Sequence, residues 1–215
     1  MTKGKTDTEK DKNIFAVLMA SGFSLRFGSE NKLLVPFRGK ALARYTLDLV
    51  CAMGCFREII FVTADERIAA LAEGLSLTIV RNAAPEKGQR EIVRLGLEAA
   101  GRAAAAACAY YIFFPCDQPL LDAASVRLIL KARRPGCIVE PRYRGKPGSP
   151  SLFSAAFRDE LLALNEGESP RVIKARHPEA VIGVELNDPL ALADIDKPED
   201  LARLKPVPKA FSAGE

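Results

Sequence analysis

Short apolar runs alternate with segments of helical periodicity along most of this chain. The apolar runs predict buried strands at Ile14–Met19, Glu58–Thr63, Leu75–Val80, Tyr110–Phe114, Cys137–Glu140 and Ala180–Leu186. Apolar residues spaced three and four apart predict helices at about Ala41–Met53, Asp65–Glu73, Arg90–Ala107, Asp122–Arg134, Ala155–Asn165 and Pro170–Arg176. Strands that alternate with helices predict an α/β fold, a three-layer α/β/α sandwich with a Rossmann-like, mainly parallel sheet.

Polar segments at both ends of the chain set the limits of a single predicted domain. Residues 1–13 are rich in charges of both signs and almost free of apolar side chains, which is typical of a disordered tail. We place a single domain at residues 14–205 and a second tail at residues 206–215. A chain of 215 residues is long enough for one domain with a sizeable core.

Composition narrows the class of partner. The formal net charge of +4 is spread along the chain, which suits a small anionic ligand and predicts no nucleic-acid partner. The longest apolar stretch, Ala103–Cys116, is shorter than the roughly 18 residues of a membrane span, so we expect no membrane partner. Five cysteines without metal-ligand spacing, and a polar N-terminus without a signal-peptide core, predict a cytoplasmic protein.

The first predicted strand ends in a loop suited to phosphate. The small residues Ala20, Ser21 and Gly22 let the backbone approach a ligand closely, and the cations Arg26 and Lys32 follow them. Free backbone N–H groups with nearby cations commonly hold phosphate in α/β proteins. The spacing matches neither a P-loop nor a dinucleotide fingerprint, so the alternative is an ordinary turn with surface cations.

Polar side chains also mark the ends of later strands. Thr63 and Asn82 follow the second and third strands, where open α/β sheets bind ligands, although Asn82 is equally typical of a turn. Asp117 follows the strand Tyr110–Phe114. A carboxylate at that place suits Mg²⁺, which takes a few hard oxygens plus substrate phosphates. The alternative is that Asp117 accepts hydrogen bonds from its own turn.

Two segments late in the chain add charge. Asp194 and Asp196 precede a helix that begins near Pro198, so one of them is a candidate second ligand for Mg²⁺. The stretch Arg142–Pro150 is rich in glycine and proline, and it predicts a loop with an antiparallel strand or β-arm beside it. We expect its cations to meet an anionic second substrate. These cations are Arg142, Arg144 and Lys146.

Three stretches resemble the motifs of a known family. MASGFSLRFGSENK, PCDQPLLD and LADIDKPEDL resemble, in the same order, the motifs of the molybdenum cofactor nucleotidyltransferases, and they are most similar to the cytidylyltransferase branch. The resemblance implies the NTP-transferase fold of nucleotide-diphospho-sugar transferases. It also implies an Mg²⁺-dependent reaction in which the phosphate of molybdopterin, in the molybdenum cofactor, attacks the α-phosphorus of CTP and pyrophosphate leaves.

The resemblance assigns roles to single residues. It implies that Ala20, Ser21 and Gly22 contact the nucleotide, Lys32 its phosphates and Asp117 the metal, and that Gly148 and Pro150 lie near the second substrate. Together with the residues above, the predicted catalytic set is Arg26, Lys32 and Asp117. The predicted nucleotide site is Ala20, Ser21, Gly22, Arg26, Lys32, Thr63, Asn82 and Gly88. The predicted acceptor site is Arg142, Lys146, Gly148 and Pro150. The predicted metal ligands are Asp117, Asp194 and Asp196.

The chain departs from the family in two places. Gly88 and Gln89 are followed by Arg90, where the branch has serines at the start of the central helix, which puts the nucleotide contacts of those serines in doubt. Ser21 stands where the guanylyltransferases have glycine and the cytidylyltransferases alanine. A Cβ at this position should crowd a purine, which predicts a preference for CTP over GTP.

Three functions are open at this point. The first is the cytidylyltransferase. The second is another nucleotidyltransferase of the same fold that acts on a sugar phosphate, an alditol phosphate or the guanine form of the cofactor. The third is a non-enzymatic protein that binds and delivers molybdenum cofactor. The resemblance also allows for a molybdenum hydroxylase apo-enzyme as a protein partner.

Overall fold

The computed structural model describes residues 11–21, 31–103 and 110–204. The strands are β1 (Asp11–Ala20), β2 (Pro36–Phe37), β3 (Lys40–Ala41), β4 (Phe56–Thr63), β5 (Thr78–Arg81), β6 (Tyr110–Pro115), β7 (Ile138–Tyr143), β8 (Lys146–Pro147), β9 (Ser151–Ser154) and β10 (Val181–Glu185). The α-helices are α1 (Leu42–Met53), α2 (Glu66–Ala70), α3 (Gln89–Ala103), α4 (Ala123–Lys131), α5 (Arg158–Leu162), α6 (Arg171–Arg176) and α7 (Pro198–Leu204). Within these ranges, none of the helices combines the length and apolar character that crossing a bilayer requires.

Most strands belong to one mixed, largely parallel sheet in the order β10-β7-β9-β6-β1-β4-β5. β1 lies inside the sheet and pairs in parallel with β4 on one side and β6 on the other. β9 runs antiparallel between β6 and β7. The carboxyl ends of the parallel strands therefore share one edge of the sheet with the beginning of β9. This arrangement confirms the predicted α/β fold.

Alternate side chains of β1 point to opposite faces of the sheet. Ile14, Ala16 and Leu18 pack into an apolar cluster with residues of α1 and α4, whereas Phe15 and Val17 pack into a second cluster with residues of α3 and α5. All five side chains are buried. Because β1 is covered on both faces, it has no polar side, which is why its sequence is a continuous apolar run. The two clusters fill the two interfaces between the sheet and the helices on either side of it. The molecule therefore has the three layers of the predicted sandwich.

The basic stretch that was predicted to be a loop is mostly a β-hairpin. The strand predicted to end at Glu140 continues to Tyr143 as β7 and pairs with β8, which is the expected antiparallel arm. The turn residues Arg144 and Gly145 have φ angles of 49° and 73°. Two-residue hairpin turns of type I′ need positive φ at both central positions, and Arg144 and Gly145 meet that requirement.

Other element boundaries also differ from the prediction, most clearly at β1, α2 and β5. β1 begins at Asp11 rather than Ile14, because the chain already pairs with the start of β4 there. α2 ends at Ala70 and β5 begins only at Thr78. Between them, residues 71–74 form turns that end at Gly74, whose φ is 77°. The left-handed glycine ends this run of turns, so the chain leaves helical geometry before the next strand begins.

Candidate active site

The predicted functional residues gather at the carboxyl edge of the sheet. Ala20 is the last residue of β1 and Thr63 the last of β4, while Asp117 lies two residues beyond the end of β6. β6, β1 and β4 are neighbours in the sheet. Open α/β sheets bind their ligands outside this edge, so the topology brings residues from distant parts of the chain to one place.

Lys32 is the centre of this site. It begins a short 3-10 turn, Lys32–Leu34, whose N-cap Asn31 accepts a hydrogen bond from the Leu33 backbone N–H at 3.1 Å. The Lys32 Nζ atom donates to Asp117 Oδ2 and to Asp196 Oδ1, each at 2.7 Å. Burial acts to lower the pKa of Lys32, but the charges and hydrogen bonds of the two carboxylates outweigh it and raise the pKa above its ordinary value. The ammonium is therefore protonated at neutral pH.

A second pair lies beside Lys32. The side-chain amide of Gln118 donates from Nε2 to Asp194 Oδ1 at 2.7 Å, and the Ile195 backbone N–H donates to the Asp117 carbonyl at 3.0 Å. These bonds tie the segment before α7 to the segment after β6. Burial, followed by the nearby charge of Asp117, raises the pKa of Asp194 to about 6. Sequence reasoning missed Gln118, although it directly follows Asp117.

The predicted metal ligands do not form a three-carboxylate cluster. Among the residues that the structure describes, no group of three or more His, Cys, Asp or Glu side chains converges for a metal ion. Lys32 lies between Asp117 and Asp196 instead. However, Asp117 Oδ1 is buried and has no hydrogen-bond partner. A single such oxygen fits Mg²⁺, which takes one or two carboxylates and completes its shell with phosphates and water.

A cavity of about 540 Å³ opens next to the end of β1. Its lining residues are Ala20, Ser21, Asn31, Ala64, Asp65, Glu66, Arg67 and Pro85. It therefore contains two of the predicted nucleotide-binding residues and adjoins Lys32 through Asn31. Ser21 is only 6% exposed, and its Oγ has no hydrogen-bond partner. A buried polar atom without a partner is costly, which makes it a candidate contact for a ligand.

The other predicted nucleotide residues lie behind this cavity or elsewhere. Thr63 is fully buried, and its Oγ1 accepts a hydrogen bond from the Asp65 backbone N–H at 3.3 Å, so it shapes the cavity wall from behind. Asn82 Oδ1 accepts from the Ala84 backbone N–H at 2.9 Å, the turn role that was its alternative, while its Nδ2 is buried without a partner. Gly88, with a φ of 70°, precedes α3 and does not line the cavity.

Two predicted residues cannot be placed. Gly22 and Arg26 lie outside the described residues, so their roles remain predictions. Arg90, which replaces the serines of the cytidylyltransferase branch, is the second residue of α3, and its Nε is buried without a partner.

A second cavity, of about 440 Å³, lies between β7, β10 and α6. Its lining residues are Glu140, Arg142, Pro147, Gly148, Arg171, Lys174, Ala175, Pro178 and Val181. It contains Arg142 and Gly148 of the predicted acceptor site. Lys146 is exposed on β8 and Pro150 is buried, and neither lines the cavity. Sequence reasoning missed Glu140 and the cations of α6, although a carboxylate at the end of an apolar strand was a signal.

The chain is similar to known proteins over most of its length. A family model described as the MobA-like NTP transferase domain matches residues 16–181. Nicotine blue oxidoreductase of Paenarthrobacter nicotinovorans is 26% identical over 200 residues, which cover 89% of this chain and 96% of that protein.

Two solved structures have the same fold. A nucleotidyl transferase from Methanothermobacter thermautotroptrophicus superposes with a TM-score of 0.75 at 24% identity, covering 89% of this chain and 95% of that one. Molybdopterin-guanine dinucleotide biosynthesis protein A from Archaeoglobus fulgidus superposes with a TM-score of 0.65 at 19% identity, covering 89% and 96%. The family model spans the chain from β1 to the start of β10, including Lys32 and Asp117, and the chain belongs to the MobA-like NTP transferase domain family.

Proposed function

We propose that this protein transfers CMP from CTP to the phosphate of molybdopterin in the molybdenum cofactor, with Mg²⁺ as cofactor and release of pyrophosphate. The observation that carries the proposal is Lys32, held between Asp117 and Asp196 beside the 540 Å³ cavity. Family membership makes the protein a nucleotidyltransferase. The nucleotide, the acceptor and the metal are the proposed parts.

The proposed reaction needs no side-chain nucleophile, because the acceptor brings its own phosphate oxygen. That oxygen bonds to the α-phosphorus of CTP, the bond from this phosphorus to the bridging β-oxygen breaks, and pyrophosphate leaves with the electron pair. The work of the protein is positioning and charge stabilisation. We assign stabilisation of the charge on the leaving pyrophosphate to Lys32, which its two carboxylates keep protonated, and to Arg26.

Asp117 is the proposed metal residue. Its unpartnered Oδ1 is available for Mg²⁺, while Oδ2 holds Lys32. Mg²⁺ bound there would supply a divalent charge for the phosphate oxygens. Asp194 and Asp196 lie close enough to influence Lys32 and Asp117 electrostatically, and we propose one of them as a further metal-side residue, directly or through water.

Three observations support the choice of substrates. The motifs of the chain are most similar to those of the cytidylyltransferase branch. The structural neighbour from Archaeoglobus fulgidus is named for molybdopterin-guanine dinucleotide biosynthesis, which supports the acceptor and does not favour CTP. Ser21 lines the cavity, and by the resemblance its Cβ stands at the position where a purine would need space. We further propose a cytoplasmic protein that passes its product to a molybdenum hydroxylase apo-enzyme.

The proposal is tested by incubating the protein with Mg²⁺, molybdenum cofactor and each NTP in turn, and identifying the products by mass. We expect the cytosine dinucleotide form of the cofactor and one equivalent of pyrophosphate with CTP. A product with GTP alone, or with a sugar or alditol phosphate alone, would replace this assignment by another transferase. Cofactor retained without pyrophosphate release would indicate a binding protein. A control with nicotine blue, a reductant and no NTP tests the activity that the name of the Paenarthrobacter relative suggests.

A further inference from the structure

We infer that the 440 Å³ cavity between β7, β10 and α6 binds the anionic end of the second substrate, a phosphate monoester, and that Lys174 and Arg171 of α6 are its main cations. Glu140 positions Lys174. This inference rests on the proposed function for its role in transfer, but the binding site itself can be tested without it. None of these three residues was predicted from the sequence.

The charge of the cavity favours an anion. Three cations, Arg142, Arg171 and Lys174, line it together with one carboxylate, Glu140, which leaves a formal charge of +2 among its lining residues. The remaining walls are mostly small or apolar, with prolines and Val181 prominent. A concave site with apolar walls and a few convergent charges suits a compact organic molecule with an anionic group.

Lys174 is fixed in place by buried partners. Its Nζ forms an ion pair with Glu140 Oε2 and donates to Ser151 Oγ at 3.3 Å. The side chains of Lys174 and Glu140 are only 14% and 7% exposed. An ammonium group has three donors, so one remains for a ligand. A cation held rigidly beside a cavity contacts an anion without losing rotamer freedom on binding, which favours affinity.

Arg142 is kept against the cavity by a glycine on the neighbouring strand. Gly183 lies on β10, and a Cβ built on it would be 2.7 Å from Arg142 Nε. The guanidinium therefore lies over the edge strand in space that only glycine leaves open. Arg142 Nε also donates to Glu140 Oε1 at 3.4 Å, so one buried carboxylate orients two cations.

A smaller cavity lies next to these cations. It has a volume of about 60 Å³, and its lining includes Arg171 and Lys174 together with Met19 and Pro115. Met19 directly precedes the end of β1, and Pro115 lies two residues before Asp117. A phosphate held by Arg171 and Lys174 therefore lies on the side of the larger cavity that is nearest to the carboxyl ends of β1 and β6.

The test is a titration with inorganic phosphate, followed residue by residue in ¹⁵N–¹H NMR spectra without nucleotide. We expect shift changes at the amides of α6 and β7, with a dissociation constant at least about tenfold weaker in Lys174→Met than in the wild type. Lys131→Met, a change of an exposed lysine at the end of α4, is the matched control and should bind like the wild type. Equal affinity in Lys174→Met, or shift changes confined to the segment around Lys32, would overturn the inference.

A second variant covers the case in which Lys174→Met fails to fold because Glu140 is left unpaired. Arg171 is exposed, so Arg171→Ala keeps the core and should still weaken phosphate binding at α6 severalfold. In the transfer assay, Lys174→Met, Arg171→Ala and Glu140→Gln should each raise the KM for molybdenum cofactor and leave the KM for CTP unchanged. A general loss of stability would not change one KM and spare the other. Phosphate binding at α6 without any CTP turnover would contradict only the proposed function. Turnover with an unchanged acceptor KM in every variant would contradict only this inference.

Discussion

The two halves of the carboxyl edge carry charge of opposite sign. Around Lys32, the described residues include three carboxylates, Asp117, Asp194 and Asp196, so this half is formally negative. The cavity at Lys174 is lined by three cations and one carboxylate, so the other half is positive. Both halves are proposed to bind phosphate, and the difference indicates two ways of doing so.

The negative half suits an anion that arrives with a divalent cation. A nucleoside triphosphate alone would be repelled by the three carboxylates, whereas its magnesium complex brings charge that they attract. The positive half needs no metal, because side chains alone neutralise a phosphate monoester. Two differently charged subsites along one sheet edge would keep each substrate out of the site of the other, since specificity depends on what a site repels as well as what it binds.

Asp117→Asn should give the largest effect and tests the negative half. The side chain follows a strand end outside the apolar core, and asparagine keeps an oxygen for Lys32, so we expect a melting temperature close to that of the wild type. Transfer should fall by at least about 100-fold, because loss of a key electrostatic contact costs roughly 3 kcal/mol. Initial rates of pyrophosphate release measure this. Asp159→Asn, at a fully exposed carboxylate, is the control, and activity of Asp117→Asn within about twofold of wild type would refute its metal role.

Removal of divalent metal should weaken ligand binding at the negative half and leave ligand binding at the positive half unchanged. With EDTA present we expect no transfer and CTP binding weakened by about tenfold or more, because the carboxylates then face an uncompensated triphosphate. Phosphate binding at Lys174 should not change, since that subsite uses side-chain charge alone. Calorimetry with CTP and the NMR titration with phosphate give the two affinities. A parallel loss of both would show that the halves share one metal-dependent site.

The sequence predicted the negative half better than the positive half, for a physical reason. Asp117 comes shortly after one apolar strand, and Lys32 lies in the segment between another apolar strand and the first long helix, so local pattern and strand order place them at one edge. The positive half is assembled from β7, β10 and α6, and its key pair, Glu140 and Lys174, is 34 residues apart. No local pattern encodes that pairing. The hairpin was predicted only in part, as a loop with an antiparallel arm beside it, because glycine and proline content does not distinguish a turn from a whole loop.

The ion pairs at Lys32 show the limit of prediction on the negative half. Spacing suggested carboxylates that bind a metal, but the structure places Lys32 between two of them. Which of several nearby charges pair with one another depends on side-chain directions across segments that are 85 and 164 residues apart. The order of the strands brings these residues to one place, but which side chains pair there depends on the detailed side-chain geometry, which the sequence does not reveal.

Ser21→Gly should have the next largest effect and sharpens the nucleotide assignment. The Ser21 side chain lines the 540 Å³ cavity, and loss of its Cβ opens space for a purine. We expect the ratio of kcat/KM for CTP to that for GTP to fall about tenfold, within the roughly 1–3 kcal/mol that one small group contributes. Ser21→Ala is the matched control, because it removes the unpartnered Oγ and keeps the Cβ. If Ser21→Ala changes the ratio as much, a hydrogen bond to the base is responsible and the crowding argument is wrong.

Gly183→Ala should have the smallest effect and tests how the positive half is built. The added Cβ would lie 2.7 Å from Arg142 Nε, so the guanidinium must move away from the cavity while the strand keeps its pairing. We expect the KM for molybdenum cofactor to rise about fivefold, on the order of 1 kcal/mol for a partly exposed charge contact, with no change in the KM for CTP. The deciding measurement is the double-mutant cycle with Arg142→Ala. If the glycine acts only by making room for that arginine, Gly183→Ala should add nothing in the Arg142→Ala background. Additive effects would mean that Gly183 is needed for the structure of β10 and not for the position of Arg142. The anion would then be bound by the cations of α6 alone.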